Sequence, residues 1–124
     1  MSSSLNGTGV TFSDSTTVAT GHQVCKAWVY FSGSTPTISA SYNISSVTRS
    51  ATGIYQVNLT NAQSTNNYCV VSGGGKTTND SSTTGNSNSA YPYGFATGYF
   101  GVVVVSCTNG TYSDSPVICQ ALFS

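Results

Sequence analysis

Over residues 37–45, and again over 53–60, the chain alternates apolar and polar residues with a period of two, a spacing that specifies β-strand. Ile38, Ala40, Tyr42 and Ile44 fall on one side; Ser39, Ser41, Asn43 and Ser45 fall on the other. A strand sends successive side chains to opposite faces, whereas a helix would scatter this pattern around its circumference. The same alternation returns with Tyr55, Val57 and Leu59 against Gln56, Asn58 and Thr60. Segment 47–52 reads as a turn ending at Gly53, so the two runs are predicted to form a hairpin.

Other segments extend the pattern. In 26–32, Ala27, Val29 and Phe31 point one way and Trp28 and Tyr30 the other. Both faces are apolar, as in a strand covered on two sides, either within one chain or at a contact between copies. Segments 67–72, 99–107 and 116–123 read as further strands, the Val-rich 99–107 as fully buried. Pro116 stands at a strand start, where a missing N–H does least harm. Residues 10–12 add a short edge strand. No window sustains a period of 3.6, and good helix formers are scarce. The expected fold is all-β: a compact antiparallel β-sandwich-like domain over 1–124, with residues 1–24 as an N-terminal arm. A length of 124 residues suits one such domain.

Residues 73–98 interrupt the strand rhythm. Gly73-Gly74-Gly75 leads into a Thr/Asn/Ser tract and then Tyr91-Pro92-Tyr93-Gly94-Phe95. An excursion of this length in a compact domain is expected to be an exposed, functional loop. Tyrosine and phenylalanine bring apolar area and, in tyrosine, a hydrogen-bonding tip. Tyr91, Tyr93 and Phe95 are therefore the candidate receptor contacts, with capping of the core or a subunit contact as the competing role.

Charge narrows the function classes. Lys26, Arg49, Lys76, Asp14, Asp80 and Asp114 are the charged residues, 5% of the chain, and the net charge is zero. Three dispersed cations cannot release the counterions that drive nucleic-acid binding. An anionic membrane surface is disfavoured for the same reason. Little repulsion opposes association of copies, which favours an assembled state. Residues 1–7 lack the basic and apolar regions of a secretory signal, and the apolar run 99–105 is far too short for a membrane helix. Synthesis in a cytoplasm without membrane insertion is expected. Cys25, Cys69, Cys107 and Cys119 include no Cys-x-x-Cys pair, and are read as small buried hydrophobes that stay reduced, with a disulfide formed later, outside the host, as the alternative.

Candidate chemistry is sparse. His22 is the single histidine, there is no Glu, and the three Asp are far apart in sequence. Neither a carboxylate pair nor a Cys/His22 nucleophile has a local motif. Gly73-Gly74-Gly75-Lys76-Thr77-Thr78 ends like a phosphate-binding loop but lacks its first glycine. Asn-x-Ser/Thr triplets at Asn6, Asn43, Asn58, Asn79 and Asn109 follow from a Ser/Thr-rich composition. No enzymatic activity, cofactor or metal is expected.

Four ordered blocks carry a family likeness. Cys25-Lys26-Ala27-Trp28-Val29-Tyr30-Phe31-Ser32-Gly33 resembles the KAWVNFNG opening of a module found at the ends of bacteriophage tail-fibre and other virion structural proteins. Ser41-Tyr42-Asn43-Ile44-Ser45-Ser46-Val47-Thr48, Gly53-Ile54-Tyr55-Gln56-Val57-Asn58-Leu59 and Asn67-Tyr68-Cys69-Val70-Val71 are similar to its SFNVSSIT, GxYxVNF and NYxVV blocks. The likeness covers 25–71 and fades beyond. After Pro36-Thr37-Ile38 the family tends to carry a basic residue, where this chain has Ala40-Ser41. The resemblance implies a non-catalytic virion β-domain, a homotrimer in contact with other virion proteins. As a fibre tip it would bind a host-surface glycan or protein; as a capsid decoration or fibre-joint subunit it would not. The shared blocks read as scaffold, so no binding residue is carried over from them. Trp28 and Tyr30 are the candidates for a contact between copies.

Overall fold

The computed structural model describes residues 9–19, 24–75, 88–107 and 110–124. His22, Lys76, Asp80, Asn6, Asn79 and Asn109 lie outside the described residues, as do parts of the expected arm and loop. The described residues form ten strands and no helix: β1 Val10–Thr11, β2 Thr17–Val18, β3 Cys25–Ser32, β4 Thr37–Tyr42, β5 Ile44–Ala51, β6 Ile54–Leu59, β7 Cys69–Gly75, β8 Asn88–Tyr93, β9 Tyr99–Ser106 and β10 Val117–Phe123. All pairings are antiparallel. One four-stranded sheet has the order β4-β3-β10-β7 and the other β5-β6-β9-β8, while β1 and β2 make a small separate ribbon.

The core lies between the two large sheets. Ala27, Val29, Phe31, Val70, Ile118 and Leu122 come from the first, and Tyr55, Val57, Leu59, Phe100, Val102 and Val104 from the second. Residues two apart on each strand thus share the inward face, as a period of two requires. Phe31 meets Tyr55 across the core edge-on, with ring centroids 5.4 Å apart.

Several sequence expectations change. The single strand predicted over 37–45 is broken twice. The β3–β4 register pairs Tyr30 with Ala40 but Phe31 with Ile38, so Ser39 is an extra residue at a bulge. That bulge reverses the alternation: Ile38 packs against the core, whereas Ala40 and Tyr42 are exposed. Asn43 then adopts φ of +58° and passes the chain from the first sheet to the second. Its side chain holds the crossing. Nδ2 donates to Lys26 O at 3.1 Å, and Oδ1 accepts from Asn61 N at 2.8 Å. The hairpin partner of β6 is consequently β5, which occupies most of the predicted turn 47–52.

The expected loop 73–98 contains strand at both ends: Gly73–Gly75 close β7, and Asn88–Tyr93 form β8. β8 is an edge strand, where Pro92 removes no ladder bond from the sheet's interior. Segment 99–107 is covered more deeply on its inner side than on its outer side, where Val103 and Val105 are half-buried. Phe100, Val102 and Val104 are buried, while Tyr99 is 43% exposed.

The cysteines are also placed differently from expectation. All four are unpaired; Cys69, Cys107 and Cys119 are exposed and Cys25 is half-buried. On β10 the inward positions belong to Ile118, Gln120 and Leu122, so strand parity turns Cys119 outward.

Candidate functional site

The outer face of the β5-β6-β9-β8 sheet carries Tyr91, Tyr93 and Tyr99 beside the amides of Gln56 and Asn58. On β8, Asn88, Ala90 and Pro92 lie on the core-facing parity, which turns Tyr91 and Tyr93 outward. Tyr91 is 55% exposed and Tyr93 42%. Tyr91 pairs with Val103, which in turn pairs with Ile54. Tyr93 pairs with Gly101, Gly101 with Gln56, and Gln56 with Thr48, giving a second row across all four strands. A third row runs from Tyr99 through Asn58 to Ser46.

Gly101 has a specific role here. A Cβ at this position would overlap Cε1 and Cζ of Tyr93, so the missing side chain seats the tyrosine ring against the strand. Beside it the polar side chains hold one another. Gln56 Nε2 donates to Asn58 Oδ1 at 2.7 Å, and Asn58 Nδ2 donates to Ser46 Oγ at 3.0 Å. Fixed amides need less ordering on binding than free ones. None of the side chains in these three rows is charged.

Phe95 does not join this face. Its ring packs edge-on against Tyr68 at 5.3 Å, and Tyr68 packs against buried Phe100 at 6.5 Å. The Tyr68 hydroxyl donates to Ala96 O at 2.7 Å, and desolvation raises its pKa. Phe95 therefore covers the end of the sandwich, although it keeps 37% of its surface. Of the three aromatic candidates, the fold brings Tyr91 and Tyr93 together and holds Phe95 in a different cluster.

The first sheet has its own outer face. Tyr42, Trp28, Ala121 and Val71 form one continuous row across β4, β3, β10 and β7. Ala40, Tyr30, Cys119 and Gly73 form the next. Trp28 is 40% exposed, Tyr30 is half-buried, and Tyr42 and Val71 are more open than Trp28. The small residues Gly73, Cys119 and Ala121 leave a shallow groove of ≈ 430 Å³ beside Trp28 and Tyr30. Partial burial raises the thiol pKa of Cys119, which keeps it protonated and a poor nucleophile.

Charged groups cluster elsewhere. Arg49 and Asp114 form an ion pair at 2.8 Å beside the β5–β6 turn. Asp114 Oδ1 also accepts from Gly53 N at 2.9 Å and from the Tyr55 hydroxyl at 2.5 Å. The Arg49 hydrogen bond, with those from Tyr55 and Gly53, lowers the Asp114 carboxyl to about 2 against partial desolvation. This carboxylate is fully engaged in joining the turn to the segment before β10. Among the described residues no group of three or more His, Cys, Asp or Glu could hold a metal ion.

Tyr99, Gln56, Asn58 and Tyr42 belong to these surfaces but were not among the sequence candidates. The outward parity of Gln56 and Asn58 was legible in the alternating run. Tyr99 was concealed by the valine-rich segment it opens, and Tyr42 by the bulge at Ser39. No family model, curated protein or solved structure matches the chain.

Proposed function

We propose that this chain is a non-catalytic attachment module of a bacteriophage virion, a tail-fibre tip or adhesin domain that contacts a host-surface receptor through the outer face of β8 and β9. The observation that carries the reading is the pairing of Tyr91 and Tyr93 on one exposed, uncharged sheet face. Exposed tyrosines suit a surface that meets a partner, because each offers a large rigid contact area at small entropic cost. The phage context comes from the resemblance over residues 25–71. The test is adsorption of the labelled chain to intact bacterial cells, comparing the parent with Tyr91→Ala and Tyr93→Ala. Loss of adsorption with an unchanged fold supports the reading; undiminished adsorption of both variants overturns it.

The face around Trp28 and Tyr30 favours a second role for the same chain: association with copies of itself, as a homotrimer, or service as a capsid decoration or fibre-joint subunit without a receptor. Trp28, Tyr42 and Val71 leave an apolar strip next to a hollow of small residues, a form that suits burial against a second copy. Light scattering of the isolated chain and of Trp28→Ser separates these readings. A monomer in both samples removes the self-association role, and immunogold labelling of particles locates the chain in the virion.

A further inference from the structure

We propose that the ligand of the second sheet's outer face is a neutral saccharide, held by a subsite of Tyr93, Tyr99, Gln56 and Asn58, with Gly101 seating the Tyr93 ring from beneath. The inference rests on the attachment reading and specifies the ligand chemistry that reading leaves open.

Tyr93 and Tyr99 flank Gly101 on adjacent strands and both are about half exposed. Aromatic rings attract polarised C–H groups, and a pyranose ring presents such groups on one side. Gln56 and Asn58 lie two residues apart on β6, about 7 Å along the strand. They stand directly opposite Gly101 and Tyr99. Each amide supplies both donor and acceptor atoms, as vicinal hydroxyl groups do. The Gln56–Asn58–Ser46 chain already fixes the amide orientations, and Gln56 Oε1 has no hydrogen-bond partner among the described residues.

Charge complementarity selects the saccharide class. Arg49 and Asp114 neutralise each other on the inward side of the second sheet, and Asp14 sits in the β1–β2 ribbon. Lys26 belongs to the first sheet. Among the described residues an anionic sugar would thus find no cation on the platform to replace its hydration, whereas a neutral one gives up only hydroxyl–water bonds of the kind the amides restore. A protein ligand would be expected to use a larger apolar centre than this row of alternating rings and amides provides.

Two measurements test the proposal. In the first, the isotope-labelled full chain is titrated with maltose, cellobiose, lactose, chitobiose and mannobiose, and with sialyllactose as the anionic control. The expected result is that at least one neutral disaccharide shifts the amide signals of residues 56, 58, 93, 99 and 101. Tyr93→Ala and Asn58→Ala should each weaken that binding about 10-fold or more, and Tyr42→Ala, on the other sheet, should leave it unchanged. Asn58→Asp, which retains the shape and adds charge, provides a second check should Asn58→Ala fold poorly. In the second measurement, cells that adsorb the chain are treated with periodate, which cleaves vicinal diols, or with protease. Sensitivity to periodate and resistance to protease are expected. Shifts confined to the first sheet, equal binding of sialyllactose, or no shift with any neutral disaccharide overturns the proposal. Protease-sensitive, periodate-resistant adsorption overturns it too, while leaving the attachment reading intact. Saccharide shifts on this face in a chain that adsorbs to no cell would instead uphold the site and remove the attachment reading.

Discussion

The Tyr55 hydroxyl donates to Asp114 Oδ1 at 2.5 Å, and this contact joins a fully buried core ring to a partly exposed ion pair. Desolvation and the neighbouring carboxylate together push the Tyr55 phenol above its ordinary range, so it remains a donor at any physiological pH. Asp114 is consequently a structural carboxylate with three partners in the fold: Arg49, Gly53 and Tyr55.

Removing that carboxylate should destabilise the domain more than removing the phenol. Asp114→Ala leaves the buried Tyr55 hydroxyl without its acceptor and is expected to cost about 3 kcal/mol in urea unfolding. Tyr55→Phe should cost about 1 kcal/mol in the parent and nothing in the Asp114→Ala background, where it removes an unpaired group. Additive losses would show that the two residues do not act as a pair.

Acid should expose the same contact. The folded carboxyl of Asp114 lies at about 2 against an ordinary 3.8, so its stabilisation is complete above 3.8 and disappears as pH falls through about 2. Asp14, lowered by its hydrogen bonds to Thr16, adds a shift of the same sign. The urea midpoint should therefore decline below pH 3.8, and Asp114→Asn should flatten most of that decline. An unchanged pH dependence in the variant would contradict the assignment.

Gly33 and Gly101 both lie where an added Cβ would overlap a tyrosine ring, yet substitution should have unequal consequences. At Gly33 the obstructing ring is Tyr55, fully buried and tied to Asp114, and Ile118 crowds the same space. Gly33→Ala is expected to cost about 2–3 kcal/mol. At Gly101 the ring is Tyr93, which is exposed on its other side and can swing into solvent. Gly101→Ala should cost less than about 1 kcal/mol while abolishing the contact between Tyr93 and the strand. Thermal melts give the first quantity, and loss of the ring-current shift from Tyr93 reports the second.

Asn43 should rank above glycine and glycine above alanine at its position. Its φ of +58° penalises alanine by about 1–2 kcal/mol, whereas glycine meets no such penalty and loses only the side-chain bonds to Lys26 and Asn61. Chemical denaturation of Asn43→Gly and Asn43→Ala tests the order. Equal stability of the two variants would deny the left-handed crossing its role.

Thiol labelling can map self-association. Cys69 and Cys119 sit on the sheet that carries Trp28 and Tyr42, whereas Cys107 follows directly after β9 of the other sheet. In dilute chain all three should react with a small maleimide, Cys119 more slowly because partial burial holds its thiol protonated. In an assembly that buries the first sheet's outer face, Cys119 and Cys69 should be protected and Cys107 should continue to react. Protection of Cys107 alone would place the contact on the opposite side.

The alternation of Tyr55, Val57 and Leu59 and of Ala27, Val29 and Phe31 was enough to identify β-strands and to pick the side chains that meet in the core. Strand parity is a local property, written in adjacent residues. Which strands pair, and where parity reverses, is not local. Ser39 inserts one residue opposite β3 and carries Tyr42 to the outer face; Asn43 turns left-handed and sends β5 to the other sheet. Asn88–Tyr93, polar and interrupted by Pro92, becomes a strand because β9 offers it an open edge. The sequence alone therefore pointed to Tyr91 and Tyr93, but it could not set Tyr99, Gln56 and Asn58 beside them. Those neighbours come from cross-strand register, which is decided by packing both sheets around one core.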